Sequence, residues 1–263
     1  MKNIAWFVVF FFLFSPSLVL AIKPFSKALI DPGHGGIDSG GTSGKRVAHY
    51  LVEKDLTLDV ATRLAYELRK SGLKVIMTRT DDRFVDLDDR VKLANSLGKD
   101  TILVSIHFDA LSDRHQRGIK TYFWHANSFG LATRIQRSLV RITGQKDLGV
   151  IRRRLRLTRN SVIPAVLCEC GFMTNPHENK LLASPSYRKT LAVAIAKGIL
   201  EENRLGDYGI TPVAEIWAPL SKASDSPRHV FHKKHKRKKH VKKLEASLEK
   251  KGTAERQKKY FLS

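Results

Sequence analysis

The sequence contains few cysteines for its length. Among 263 residues there are only two, Cys168 and Cys170, and they lie two positions apart. Cysteines this close form a disulfide only with strain, so the sequence excludes a disulfide scaffold. Hydrophobic residues make up 42% of the chain, which is enough for a full core and excludes global disorder. The protein must therefore be stabilised by a hydrophobic core.

Long apolar runs are also missing. The run at residues 4–14 has 11 residues, whereas a transmembrane helix needs roughly 20. It follows Lys2 and precedes residues 19–21, Val-Leu-Ala, and this arrangement is typical of a cleaved secretory signal. We therefore predict that residues 1–21 are a signal peptide and that the protein is exported, periplasmic or secreted. An uncleaved anchor is the alternative.

Acidic residues are scarce relative to basic ones, with 25 Asp and Glu against 47 Lys and Arg. Residues 228–263 hold 14 Lys and Arg against 3 Asp and Glu, so their net charge of +11 is half of the formal net charge of +22. Such blocks are usually solvated and disordered, and this one could retain the protein on an anionic wall or membrane surface. Nucleic acid would attract the same charge, but export argues against it, so we expect no nucleic-acid partner.

Between these ends, strand and helix signals alternate, which predicts an α/β fold. Apolar runs predict strands at residues 28–30, 74–78, 101–106, 119–124 and 163–167. Helical spacing or a helix-start proline predicts helices at residues 53–71, 86–97, 128–142, 176–182 and 187–200. In the second of these helices we expect Leu87, Val91, Ala94 and Leu97 to face inward. We expect residues 22–205 to be one catalytic domain, 206–227 a linker and 228–263 a basic tail.

Two histidines and one glutamate are candidate metal ligands. His34 follows the strand at 28–30, and His107 ends the strand at 101–106. Because sites in open α/β sheets form at the carboxyl ends of strands, these two side chains can converge. Glu53 lies in the first turn of a helix, from which it can point back to the same edge. Two imidazoles and a carboxylate with an open fourth position suit a catalytic zinc ion.

A second carboxylate, Glu169, also follows an apolar strand. Side chains alternate along a strand, so if Glu169 points to the site, Cys168 and Cys170 point away and are not ligands. A carboxylate beside an activated water can accept its proton and pass it to a leaving amine. Taken singly, each of these residues has an ordinary structural interpretation, and the hypothesis of a metal site depends on their joint arrangement.

These residues lie in motifs that resemble the zinc-dependent N-acetylmuramoyl-L-alanine amidases. The resemblance covers about residues 26–203, and its motifs keep the family's order and spacing. They are the segments 31–41 (DPGHGGIDSGG), 53–54 (EK), 105–107 (SIH) and 169–175 (ECGFMTN). The resemblance implies a single mixed, mostly parallel sheet flanked by helices on both faces.

The resemblance also implies a set of roles. His34, Glu53 and His107 would hold one zinc ion, and Glu169 would be the catalytic acid and base. The substrate would be peptidoglycan or its fragments, cut between the lactyl group of N-acetylmuramic acid and L-alanine. A zinc peptidase acting within the stem peptide is the alternative, because the same site could hydrolyse either amide. We expect a monomer.

Three finer expectations follow. Asp31 could orient His34, and Asp109 could serve His107 or the substrate. Some relatives carry an inserted helix that blocks the site ahead of the catalytic glutamate. Once a strand and a helix are allotted, only residues 143–162 remain for such an insertion, so we predict no full blocking helix here.

Overall fold

The apolar runs of the sequence form one six-stranded sheet in the computed structural model, which describes residues 25–211. The strands are β1 Lys27–Pro32, β2 Lys74–Met77, β3 Thr101–Asp109, β4 Ile119–Phe123, β5 Asp147–Arg152 and β6 Ala165–Phe172. Their order is β2-β1-β3-β6-β4-β5, and only the β4–β6 pairing is antiparallel. The predicted mixed, mostly parallel sheet is confirmed, and the carboxyl ends of β1, β3 and β6 lie at one edge.

Helices cover both faces of this sheet, as predicted. They are α1 Glu53–Lys70, α2 Leu87–Ser96, α3 Phe129–Thr143, α4 Arg156–Asn160, α5 Pro176–Ala183 and α6 Pro185–Leu205. The larger apolar core includes buried residues of α1, α3 and α6, and the smaller one includes buried residues of α2 and α4. Within residues 25–211, no helix combines the length and apolar character that are required to span a membrane.

Local sequence explains where the helices that position the site begin and end. In α1 the apolar residues Leu56, Val60, Leu64 and Leu68 recur at helical spacing, and all four are buried. The helix ends just before Gly72, whose φ of +88° favours glycine. The start of α5 is fixed by Asn175, whose side chain accepts the backbone N–H groups of two residues in the first turn.

The inward face predicted for α2 was partly wrong. Leu87 is 48% exposed, whereas Ala94 is buried and Val91 and Leu97 are partly buried against the smaller core. Arg90 of the same helix is also buried, because its guanidinium forms an ion pair of 2.5 Å with Asp31 on β1. A hydrophobic pattern cannot anticipate a buried charge whose partner lies elsewhere in the chain.

Residues 143–162 form strand β5 and the five-residue helix α4. The prediction that this segment holds no full blocking helix is therefore confirmed. Strand β5 was not predicted, because its edge position leaves it mostly half-buried and Gly149 interrupts its apolar residues.

Packing continues a few residues beyond α6. Arg134 of α3 donates to the carbonyl groups of Gly206 and Tyr208, and Ile210 is only 6% exposed. The first residues of the segment that we expected to be a linker therefore pack on this domain. The predicted signal peptide, the rest of the linker and the basic tail lie outside the described residues.

Candidate metal centre

His34, Glu53 and His107 come together at the carboxyl-terminal edge of the sheet. Nε2 of His34 lies 3.0 Å from Oε1 of Glu53, and Nδ1 of His107 lies 2.9 Å from the same oxygen. One donor atom from each of the three residues lies within 4.8 Å of the others. The two imidazole rings meet edge to face at 4.9 Å.

Glu53 is held by backbone donors as well as by the histidines. Its Oε2 accepts the N–H of Gly41 at 2.7 Å, and its Oε1 accepts the N–H of Phe108 at 3.2 Å. Burial alone would raise the pKa of Glu53, but hydrogen bonds from His107 and His34 lower it below its ordinary value. The side chain is therefore a carboxylate, which is the form that a cation requires.

The loop that carries His34 has an unusual backbone and a tight fit. His34 is the one non-glycine residue with positive φ, +61°, among residues 25–211. A Cβ atom at Gly40 would lie 2.5 Å from Cδ2 of His34 and 2.6 Å from Oε2 of Glu53. A Cβ atom at Gly33 would lie 2.2 Å from Cε1 of His107. Only glycine at positions 33 and 40 allows the three side chains to approach each other this closely.

Two buried arginines hold this loop in place. Arg79 donates to the carbonyl groups of Pro32 and Gly33 at 3.1 and 2.9 Å. Arg90 donates to the carbonyl groups of Pro32 and His34, both at 2.7 Å. The strained conformation of His34 is thus over-determined by its surroundings. Sequence reasoning does not reveal this role, because each arginine reaches the loop from a distant part of the chain.

Asp38, rather than Asp31, contacts the imidazole of His34. Nδ1 of His34 donates to Oδ2 of Asp38 at 2.9 Å, which leaves Nε2 as the atom that faces Glu53. Burial would lower the pKa of His34, but the hydrogen bonds and charges of Glu53 and Asp38 raise it. The expectation for Asp31 was wrong, because Asp31 accepts hydrogen bonds from Arg90, Ser105 and Thr78 instead.

Glu169 lies beside this cluster on strand β6. In the strand register it pairs with His107 of β3 on one side and with Lys120 of β4 on the other. Its Oε2 is buried and has no hydrogen-bond partner within residues 25–211. Burial, and then the negative charges of Asp109 and Glu53, raise the pKa of Glu169 well above its ordinary value. Such a carboxyl group is suited to exchange protons.

The other residues around Glu169 have structural partners. Asp109 forms an ion pair of 2.6 Å with Lys120, and Nδ1 of His107 faces Glu53 instead. The suggested contact of Asp109 with His107 was therefore wrong, and its suggested contact with substrate stays a prediction. Cys168 and Cys170 are fully buried in the larger core. They lie on the opposite side of β6 from the three candidate metal ligands, as strand alternation predicts. The side chain of Lys120 was not singled out from the sequence, since its role depends on the antiparallel pairing of β4 with β6.

The donor set fits zinc. Two neutral imidazoles and one carboxylate are the protein ligands of many catalytic zinc sites, which keep a position for water or substrate. The hydrogen bond from His34 to Asp38 is the kind of support that orients a ligating imidazole. Glu169, with its unsatisfied buried oxygen, stands next to the cluster.

Comparison with known proteins places this geometry in a family. A family model described as N-acetylmuramoyl-L-alanine amidase matches residues 28–201. The probable cell wall amidase LytH of Staphylococcus aureus is 34% identical over 171 residues, which make up 65% of this chain and 56% of that protein. The chain thus spans little more than half the length of this curated relative.

Solved structures lead to the same family. The N-acetylmuramoyl-L-alanine amidase from Clostridium difficile 630 is 35% identical with a TM-score of 0.61, and the match covers 68% of this chain and 97% of that one. The N-acetylmuramoyl-L-alanine amidase AmiC2 of Nostoc punctiforme is 33% identical with a TM-score of 0.62, again covering 68% and 97%.

Proposed function

The chain belongs to the N-acetylmuramoyl-L-alanine amidase family, and on that premise we propose that it is an exported zinc hydrolase of peptidoglycan. It cleaves the amide bond between the lactyl group of N-acetylmuramic acid and L-alanine. The observation that carries this proposal is the convergence of His34, Glu53 and His107 next to the buried carboxyl group of Glu169. The family and its motifs support the assignment of the bond.

The roles of the residues follow from their chemistry. His34, Glu53 and His107 hold zinc, which when bound polarises a carbonyl group and makes water a better nucleophile at neutral pH. Glu169 accepts the proton that the attacking water loses. It then donates that proton to the nitrogen of L-alanine as the amide bond breaks. Its position on β6, directly opposite His107 of β3, keeps it next to the candidate ligands.

Asp38 and the two arginines support these steps by holding His34 and its loop. Asp38 keeps the proton of His34 on Nδ1, so that Nε2 remains available as a ligand. Arg79 and Arg90 hold the carbonyl groups of the loop that presents His34. The site is therefore organised before a metal ion or substrate arrives.

The two ends of the chain have proposed roles outside the cytoplasm. We propose that residues 1–21 direct export, that residues 22–205 include the catalytic domain, and that the basic residues 228–263 retain the enzyme on an anionic surface. Deleting residues 228–263 should weaken binding to wall sacculi at low salt and leave hydrolysis of soluble fragments unchanged. Equal binding by the truncated and full chains would contradict this role of the tail.

Product analysis tests the proposed reaction. Mass spectrometry of a defined muropeptide incubated with the full chain and zinc should show free N-acetylmuramic acid and a peptide with an N-terminal alanine. A zinc peptidase would instead release D-alanine or fragments cut within the stem. Either of these products, without free muramic acid, would contradict the amidase proposal.

A further inference from the structure

A cavity of about 510 Å³ lies between the loop that follows β3 and the start of α5. Its lining is rich in basic side chains and contains no acidic one. The lining residues are Arg114, His115, Arg117, Asn175, Pro176 and His177. None of the basic residues in this lining belongs to the candidate metal ligands.

The basic groups around the cavity are short of partners. The side chains of Arg117, His115 and His177 make no hydrogen bond or ion pair with any residue in the range 25–211. Arg114 donates through Nη2 to the carbonyl of Arg46, but its buried Nε has no partner among these residues. A buried N–H without an acceptor is unfavourable, so a ligand that supplies an acceptor to Arg114 would be favoured.

The carboxylates of Asp113 and Glu178 interact electrostatically with His115 and Arg117, but their hydrogen bonds go to other groups. Asp113 accepts the backbone N–H of His115 and the side-chain amide of Gln116. Glu178 accepts the backbone N–H groups of Gly118 and Phe172 at 2.7 and 2.6 Å. The lining itself holds two guanidinium groups and no carboxylate, and a guanidinium group matches the planar geometry of a carboxylate.

The cavity lies at the same edge of the sheet as the candidate metal ligands. Its two walls continue from β3 and β6, the strands that carry His107 and Glu169. Backbone and side-chain hydrogen bonds join these walls: Met173 donates to the carbonyl of Asp109 at 2.8 Å, and Asn175 donates to the carbonyl of Arg114 at 2.9 Å. The cavity and the three candidate ligands therefore lie at one edge of the same sheet.

We propose that this cavity binds a carboxylate of the peptide part of the substrate. The inference rests on the proposed function, because the stem peptide continues beyond the L-alanine whose amide is cut. Two sources could supply the carboxylate: the free α-carboxylate of the γ-linked D-glutamate that follows L-alanine, or the C-terminal carboxylate of the stem. In both cases the cavity would bind the peptide, and hydrolysis would occur at the candidate metal ligands.

Four N-acetylmuramoyl peptides distinguish these sources. One has both carboxylates free, one has the D-glutamate α-carboxylate amidated, one has the C-terminus amidated, and one has both amidated. For the full chain with zinc, amidation of the bound carboxylate should raise KM about 10-fold or more, because a charge-assisted pair of hydrogen bonds is lost. The amide that raises KM identifies the source, and kcat should change little.

Arg117→Gln provides the matching variant, and Arg141→Gln, an exposed arginine of α3 outside the cavity, is the control. Arg117→Gln should raise KM only for substrates that keep the recognised carboxylate, whereas Arg141→Gln should leave all four values unchanged. Equal KM values for the four substrates with the unaltered chain would overturn the inference, whether or not the variant folds. An equal rise for all four with Arg117→Gln would also overturn it.

These outcomes separate the inference from the proposed function. Hydrolysis of all four substrates at equal KM would overturn carboxylate recognition and leave the amidase proposal standing. Hydrolysis of none of the four at the lactyl amide would overturn both.

Discussion

His107 and Glu169 are direct partners in the register of the parallel strands β3 and β6. The proposed ligand and the proposed proton carrier are therefore fixed side by side by the backbone hydrogen bonds of the sheet. Glu53 completes the arrangement, because its Oε1 lies 2.9 Å from Nδ1 of His107. The register shifts after this pair, between His107 and Asp109, but groups on strands are still held more precisely than groups on loops.

Asp38→Asn should weaken zinc binding. The change removes the negative charge that supports Nδ1–H of His34, and loss of such a partner typically costs about 10–100-fold in metal affinity. Competition with a chromogenic chelator measures the affinity. Asp89→Asn, an exposed aspartate of α2 that pairs with Lys92, is the control and should bind zinc as the unaltered chain does. Unchanged affinity in Asp38→Asn would contradict the role of Asp38.

Gly40→Ala should abolish metal binding while preserving the fold. The new Cβ would meet His34 and Glu53 at 2.5 and 2.6 Å, in a backbone with φ of +65°. Gly144→Ala is a matched control, because Gly144 has φ of +67° and its new Cβ would meet no heavy atom within 4 Å. Both variants carry backbone strain of about 1 kcal/mol.

Metal content and thermal unfolding of the two glycine variants give the readout. We expect both variants to fold, with a lower midpoint of unfolding for Gly40→Ala because of its close contacts, and zinc only in Gly144→Ala. Stoichiometric zinc in Gly40→Ala would show that the cluster tolerates the extra carbon and would contradict the close packing of the site.

Arg90→Met should destabilise the protein by about 3–5 kcal/mol, the usual cost of removing one partner from a buried ion pair. Asp31 would then keep its buried charge without its closest cationic partner. Arg156→Met removes the partner of Asp88 in an exposed pair, and such pairs contribute only about 0–1 kcal/mol. Denaturant unfolding of both variants measures the difference, and equal losses would contradict the account of Arg90.

Asp31 should also contribute to acid sensitivity. Burial would raise the pKa of Asp31, but the charge of Arg90 and hydrogen bonds from Ser105 and Thr78 lower it below the ordinary 3.8. Its stabilising contribution is therefore present above pH 3.8 and is lost as pH falls through the lowered pKa of the folded state. Asp31→Asn should remove this part of the slope of unfolding free energy against pH, and Asp89→Asn should retain it.

The three-residue cluster could be predicted because each of its residues belongs to a local sequence pattern. His34 and His107 follow apolar strands and Glu53 opens an amphipathic helix, so the edge of a parallel sheet brings them together. The partner of His34 could not be predicted in this way. Asp31 and Asp38 are both near His34 in sequence, and only the fold shows that Asp31 is already bound to Arg90.

Long-range polar contacts account for the other differences. Leu87 is exposed and Arg90 is buried in α2, the reverse of what a hydrophobic pattern predicts, because Arg90 reaches a carboxylate on β1. Lys120 pairs with Asp109 and lies beside Glu169 only because β4 runs antiparallel to β6. Neither contact follows from the periodicity of a single element.

Zinc content and hydrolysis, measured together for the full chain, Glu169→Gln and His107→Ala, test the central claim most directly. We expect one zinc ion per chain and release of N-acetylmuramic acid with the unaltered sequence. We expect one zinc ion but no hydrolysis with Glu169→Gln, and neither zinc nor hydrolysis with His107→Ala. Hydrolysis by Glu169→Gln at the unaltered rate, or full activity of His107→Ala without zinc, would contradict the claim.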